Sequence, residues 1–222
     1  MLIADRLHKA YGRVVAVQEV SFRVEPGTFL GLVGPNGAGK STTIRMLAGQ
    51  LAPTSGRVTI DGVDAAADPN AARARIGYVP EEPRLYDYLT AREMVSFVAE
   101  IRGRGDVEAA LEIAGLGDDA DRVIQEYSQG MRRKTALACA MVSRPPVLIL
   151  DEALNGLDPP SASRVTEALR AAAAAGAVVI LSTHVLDTLE KLADRLIMIS
   201  AGSVLTDVSG ANMDEIRAKF GR

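Results

Sequence analysis

The stretch Gly34-Pro35-Asn36-Gly37-Ala38-Gly39-Lys40-Ser41 carries the spacing G-x-x-x-x-G-K-[ST]. Small residues at these positions let successive backbone N–H groups turn inward around phosphate oxygens, Lys40 adds a point charge toward the outer phosphates, and Ser41 is placed to ligate Mg²⁺. A glycine-rich turn with a solvent-facing lysine is the plain alternative. The flanks argue against it. Apolar Phe29 to Val33 precedes the loop, as a strand buried on both faces would, and the helical run Thr42 to Leu47 follows and presents its positive end. A second candidate is Val147-Leu148-Ile149-Leu150-Asp151-Glu152, an apolar strand whose exit carries adjacent carboxylates. Asp151 is suited to hold Mg²⁺, directly or through water, and Glu152 to orient or deprotonate an attacking water in line with a γ-phosphate. Alone, such a pair reads equally as a solvated loop; beside a phosphate cradle it points to a nucleoside triphosphatase.

These residues sit in a chain of 222, of which 48% are hydrophobic and 24% charged, which fits one globular domain with an embedded subdomain. Lys and Arg total 25 against 28 Asp and Glu, a net charge of -3, so no broad positive field gathers nucleic acid by counterion release and none is expected as partner. The single cysteine, Cys139, cannot close an intramolecular disulfide, and the opening residues lack a basic segment followed by an apolar one; a reducing cytosol is the expected setting. The most apolar segments fall far short of the roughly 20 residues that span a bilayer, so a membrane role would come through a partner.

The positioning elements follow from hydrophobic pattern. Strands are expected at Val14 to Val24, Phe29 to Val33, Arg57 to Ile60, Ile76 to Val79, Val147 to Leu150, Val178 to Leu181, Leu196 to Ile199 and Ser203 to Val208, with helical stretches between several of them. From Pro83 to about Val142, helix signals follow one another without a strand. Thr90-Ala91-Arg92-Glu93 matches a capping box, followed by Met94, Phe97, Val98 and Ile101 at helical spacing. Val107 to Ala114 is a second amphipathic run, closed by Gly115, and Met131 to Met141 a third helix. Ala171 to Ala175 reads as a helix end, and Met213 to Phe220 as a further helix.

Taken in order, these motifs resemble the ATP-binding subunits of ABC transporters through nearly the whole chain. Tyr11 sits where that family's adenine-stacking aromatic lies, Tyr127-Ser128-Gln129-Gly130-Met131 at its signature motif, Leu154-Asn155-Gly156-Leu157-Asp158 at its D-loop, and His184 at its switch histidine. Each has a physical reading. The Tyr11 ring offers a face to adenine, or is a half-exposed strand aromatic. Ser128, Gln129 and Gly130 lie at a helix N-terminus, where a hydroxyl and a close backbone can clasp a γ-phosphate. His184, at a strand exit, can reach the γ-phosphate and the attacking water. His8 matches no motif, and Cys139 reads as core.

The signature departs from the family's Leu-Ser-Gly-Gly-Gln at Tyr127, Gln129 and Met131, and Glu81 stands where a glutamine usually meets Mg²⁺. Similar replacements occur in ATPases of exporters with small separate permeases, so the resemblance implies that branch. It also implies an α/β fold: a P-loop NTPase core with a mostly parallel central sheet, an N-terminal antiparallel β subdomain and an inserted helical subdomain. The core would comprise residues 1–82 and 143–222, and the helical subdomain 83–142. The implied activity is ATP hydrolysis in a head-to-tail homodimer, at the cytoplasmic face of the cell membrane, on an integral-membrane permease. ATP and Mg²⁺ are the implied cofactors. The implied site comprises Gly34, Pro35, Asn36, Gly37, Ala38, Gly39, Lys40, Ser41, Thr42, Tyr11, Ser128, Gln129 and Gly130 for nucleotide. Ser41, Glu81 and Asp151 are implied for metal, and Glu152, His184 and Lys40 for catalysis. A soluble ATPase of the same family, acting on ribosomes or DNA, is the competing reading; such proteins usually carry two cassettes or coiled-coil insertions, and this chain has one P-loop and no sustained heptads. A small P-loop kinase offers no reason for the Ser128 motif or His184.

Overall fold

In the computed structural model, described for residues 1–184, 189 and 192–209, the chain forms two β-sheets joined by helices. The first is antiparallel, in the order β2-β1-β4-β5, with β1 at Leu2–Tyr11, β2 at Val14–Val24, β4 at Ser55–Ile60 and β5 at Val63–Asp64. The second runs β10-β9-β3-β8-β7-β6, with β3 at Phe29–Val33, β6 at Ile76–Val79, β7 at Val147–Asp151, β8 at Val178–Ser182, β9 at Arg195–Ser200 and β10 at Ser203–Ser209. All its pairings are parallel except β9 with β10. This is the α/β architecture expected from the sequence.

The uninterrupted apolar strands are explained by burial on both faces. In β3, Leu30 and Leu32 point into one core with Ile149, Ile180 and residues of the antiparallel sheet. Phe29 and Val33 point into the other, with Leu148, Leu150 and Leu181. Helix α1 (Lys40–Leu47) adds Ile44, Met46 and Leu47 to the first core, and α5 (Gln129–Met141) and α6 (Pro159–Ala174) line the second. Helices α3 (Ala91–Ile101) and α4 (Val107–Ala114) pack with one face of α5 around Val95, Leu111, Ile124 and Tyr127 in a third cluster. The Thr90 capping box is present: Thr90 Oγ1 accepts from Glu93 N at 3.1 Å and Glu93 Oε2 from Thr90 N at 2.9 Å.

Strand β1 and helix α2 are among the elements that escaped the hydrophobic pattern. Strand β1 buries Leu2 and Ala4 and then Leu7, an odd step, because a bulge with Arg6 at φ 46° breaks the two-residue period. Helix α2 (Pro69–Ala74) is too short to show a period and is set by its Asp68 cap, which accepts from Ala71 N at 2.9 Å. The expected helix Met213 to Phe220 lies outside the described residues.

Candidate active site

At the carboxyl ends of β3, β7 and β8 lies a cavity of about 530 Å³ lined by the Gly34 to Thr42 loop, Ala16, Glu81, Glu152, Asn155 and His184. A larger groove, about 1360 Å³, opens at the other end of the sheet, beside Arg75, Pro146 and Ala177, which precede β6, β7 and β8. Chemistry belongs to the smaller one, since ligands of open parallel sheets bind beyond the strands' carboxyl ends.

The loop is shaped for a group that needs backbone donors. Among the described residues, helices α2 to α6 each begin with a side-chain cap, whereas α1 begins at Gly39 with none. Gly39 sits at φ 101°, and a Cβ there would stand 2.5 Å from Ala16 O, so no other residue lets the loop lie this close to β2. The buried Lys40 ammonium donates to Gly34 O at 2.7 Å and Pro35 O at 3.2 Å, which holds the charge inside the loop.

Two oxygen donors meet beside it. Ser41 Oγ, at the start of α1, lies 3.5 Å from Asp151 Oδ1 at the end of β7. The same carboxylate oxygen accepts from Ser182 Oγ at 2.5 Å, because register places Asp151 opposite Ser182 on β8. Asp151 is almost wholly buried, and the neighbouring Tyr78 hydroxyl is pushed up to about 12 by its own burial and, second, by the Asp151 charge. A hydroxyl and a carboxylate are the hard donors that Mg²⁺ takes.

Glu152 is also buried, and its backbone is left-handed at φ 50°, an uncommon conformation for a side-chain-bearing residue. The turn is pinned by Glu152 N donating to Ser182 O and Ser182 Oγ, both at 3.1 Å. Its Oε2 accepts from Asn155 Nδ2 at 2.7 Å and lies 3.1 Å from His184 Nδ1. Thus Glu152 and His184 meet, although 32 residues separate them. Sequence reasoning had not assigned Asn155 or Ser182 any role. Asn155 stood in the quoted D-loop stretch, three residues past Glu152, but only the turn reveals that its amide folds back.

Other expected site residues stand apart. Tyr11 is half exposed on β1, with Lys9 Nζ 5.3 Å from its ring centre, and does not line the cavity. Neither do Ser128, Gln129 and Gly130: Ser128 caps α5, its Oγ accepting from Met131 N at 3.3 Å. Glu81 is exposed at the cavity's rim. Cys139 packs in the third cluster, and burial pushes its thiol up to about 12, which disfavours the nucleophilic thiolate.

Residues 17–155 match the family model described as ABC transporter. The chain is 39% identical over 209 residues to the Nod factor export ATP-binding protein I of Paraburkholderia xenovorans (strain LB400), spanning 91% of this chain and 69% of that protein. It is 36% identical over 211 residues to the linearmycin resistance ATP-binding protein LnrL of Bacillus subtilis (strain 168), spanning 92% and 68%. Among solved structures, an ATP binding subunit of an ABC transporter superposes with a TM-score of 0.92 at 30% identity over 100% of both chains. A dimeric bacterial ABC transporter cassette, 24% identical, shares the fold with a TM-score of 0.87 over 94% of this chain and 98% of that one. The chain belongs to the ABC transporter family, as one of its ATP-binding, ATP-hydrolysing cassettes.

Proposed function

We infer that this cassette drives export through a separate integral-membrane permease, working as a head-to-tail homodimer at the cytoplasmic face of the membrane. The observation that carries the catalytic part is Glu152: a buried carboxylate beside a phosphate-type loop, with both of its neighbours' contacts on Oε2. That leaves Oε1 to take a proton from the attacking water, with Glu152 as general base. Lys40 and the backbone of Gly34 to Thr42 hold the β- and γ-phosphates. Tyr11 offers its ring to adenine. His184 keeps one ring nitrogen on Glu152 and turns the other toward the γ-phosphate; because its Nδ1 can donate to the carboxylate, donation to phosphate as well requires the imidazolium. Ser41, Asp151 and, through water, Glu81 would hold Mg²⁺, which supplies charge neutralisation between the phosphates.

The dimer is supported by the position of the signature residues. Ser128, Gln129 and Gly130 lie outside the cavity of their own subunit and at a capped helix start, so a second copy is the natural source of the phosphate they would clasp. ATP bound by both halves favours the closed pair, and hydrolysis removes that preference. Residues 83–142 would then act as the helical subdomain that transmits the motion, with 1–82 and 143–222 as the nucleotide-binding core. The permease is inferred because no helix among the described residues is long and apolar enough to cross a membrane, and because export and resistance systems recur in the relatives' names.

The test is Glu152→Gln. Steady-state hydrolysis should fall by about 10² to 10⁴, while Mg·ATP should shift the variant to a dimer in light scattering. Hydrolysis at the normal rate would remove Glu152 from its role, and a chain that stays monomeric with ATP, even beside its permease, would remove the dimer.

A further inference from the structure

Three consecutive cations at the start of α5 tie it to two loops, the one between β6 and α3 and the one between β7 and α6. Arg132 pairs with Asp87 at 2.7 Å, in the segment before α3. Lys134 pairs with Asp158 at 2.8 Å, the residue that caps α6. Arg133, between them, spans two loops of the cavity: Nη1 donates to Asn155 O, and Nη2 to Glu81 O at 3.4 Å. Both of its acceptors are backbone carbonyls. Its Nε is buried without a hydrogen-bond partner among the described residues, so the guanidinium is held by its two-armed reach and not by a counter-ion.

The contact leaves little slack. A Cβ on Gly156 would stand 2.8 Å from Arg133 Nη1, and one on Gly130 would stand 3.1 Å from Gly156 O, so the signature turn lies directly on the loop that carries Asn155. The opposite end of Asn155 is the amide that donates to Glu152 Oε2. A continuous chain of contacts therefore runs from the helix bearing Ser128 and Gly130, through Arg133 and Asn155, to Glu152, with a branch to the loop of Glu81.

We propose that Arg133 is a positioning residue for hydrolysis: by gripping Asn155 O and Glu81 O it makes the aim of the Glu152 carboxylate depend on the placement of the signature helix. The role rests on the reading of Glu152 as general base. Arg133 does not line the nucleotide cavity, so its loss acts on the chemical step and not on ATP capture. A misplacement on the order of 1 Å costs about 10²-fold when it falls on a reacting group, and a lysine, whose compact ammonium lacks the two separated arms of the guanidinium, cannot bridge both loops at once and holds only one of the two carbonyls.

The experiment compares full-length wild type, Arg133→Gln, Arg133→Lys, Glu152→Gln and the Arg133→Gln/Glu152→Gln double variant, with kcat and KM for Mg·ATP in steady state, single-turnover rates for the two Glu152→Gln forms, and thermal melts. Expected are a kcat at least about tenfold lower in Arg133→Gln with KM within about twofold, an intermediate kcat in Arg133→Lys, and a double variant no slower than Glu152→Gln alone, because effects of residues acting as one unit do not add. If Arg133→Gln fails to fold, Arg133→Lys carries the same comparison in both backgrounds. An unchanged kcat, a loss confined to KM, or the same fold-loss with and without Glu152 overturns the positioning role while leaving the base intact. Normal hydrolysis by Glu152→Gln overturns both.

Discussion

Asn155 Nδ2 donates to Glu152 Oε2 at 2.7 Å across the turn that leaves β7. The carboxylate is thus steered by a residue on its own loop as well as by His184 from the neighbouring strand exit. Steering from two directions is what a buried base needs, because an unheld carboxylate would rotate among rotamers and reach its water only part of the time.

Asn155→Ala removes one of those two restraints without changing charge. Its kcat for ATP should fall by about tenfold or more, with KM nearly unchanged, since the amide holds the base whereas the Gly34 to Thr42 loop and Lys40 hold the phosphates. Steady-state hydrolysis across a range of Mg·ATP concentrations checks this; a rise in KM with kcat preserved would place Asn155 in nucleotide binding instead.

Cys139 offers a probe of the helical cluster. Its folded thiol is raised from 9.0 to about 12 by burial, so its thiolate fraction at pH 8 is about a thousandfold below that of the unfolded chain. Alkylation by iodoacetamide should be correspondingly slow in the native protein and fast in denaturant. The stability linked to this group follows from the raised value: it is fully present below pH 9 and is lost as pH climbs toward 12, because the unfolded thiol ionises first. Denaturant midpoints from pH 8 to 11 should fall more steeply for wild type than for Cys139→Ala, and parallel profiles would show that a different group dominates.

Thr90→Ala deletes the hydroxyl that accepts from Glu93 N and leaves the Glu93 side chain without its reciprocal partner's order. A loss of about 1 kcal/mol is expected, which for a chain of this size lowers the melting midpoint by about 2–4 °C. Calorimetry measures it, and ATP affinity should stay unchanged because α3 is remote from the phosphate loop.

Much of the site was legible because it is written locally. The glycine spacing before Lys40, the two-sided apolar run of β3 and the carboxylates at the exit of β7 are each consequences of backbone geometry over a few residues, and backbone geometry leaves a pattern in residue type. The capping box at Thr90 and the Gly115 stop were readable for the same reason. Strand β1 was not, because its bulge at Arg6 breaks the period on which a strand is recognised. Nor was the start of α6, where Pro159 and the Asp158 cap replace a hydrophobic signal.

The sequence by itself determined which groups this protein brings to a nucleotide: a glycine-lined turn, one lysine, one serine and an acidic pair. Only the tertiary structure decided how those groups are aimed. Strand order sets β8 beside β7, so Ser182 meets Asp151 and His184 reaches Glu152. Packing of α5 on the β7 exit then carries Arg133 onto the Asn155 carbonyl. Such contacts join residues tens of positions apart, and their geometry is set by how buried faces stack, which no short window of residue types encodes.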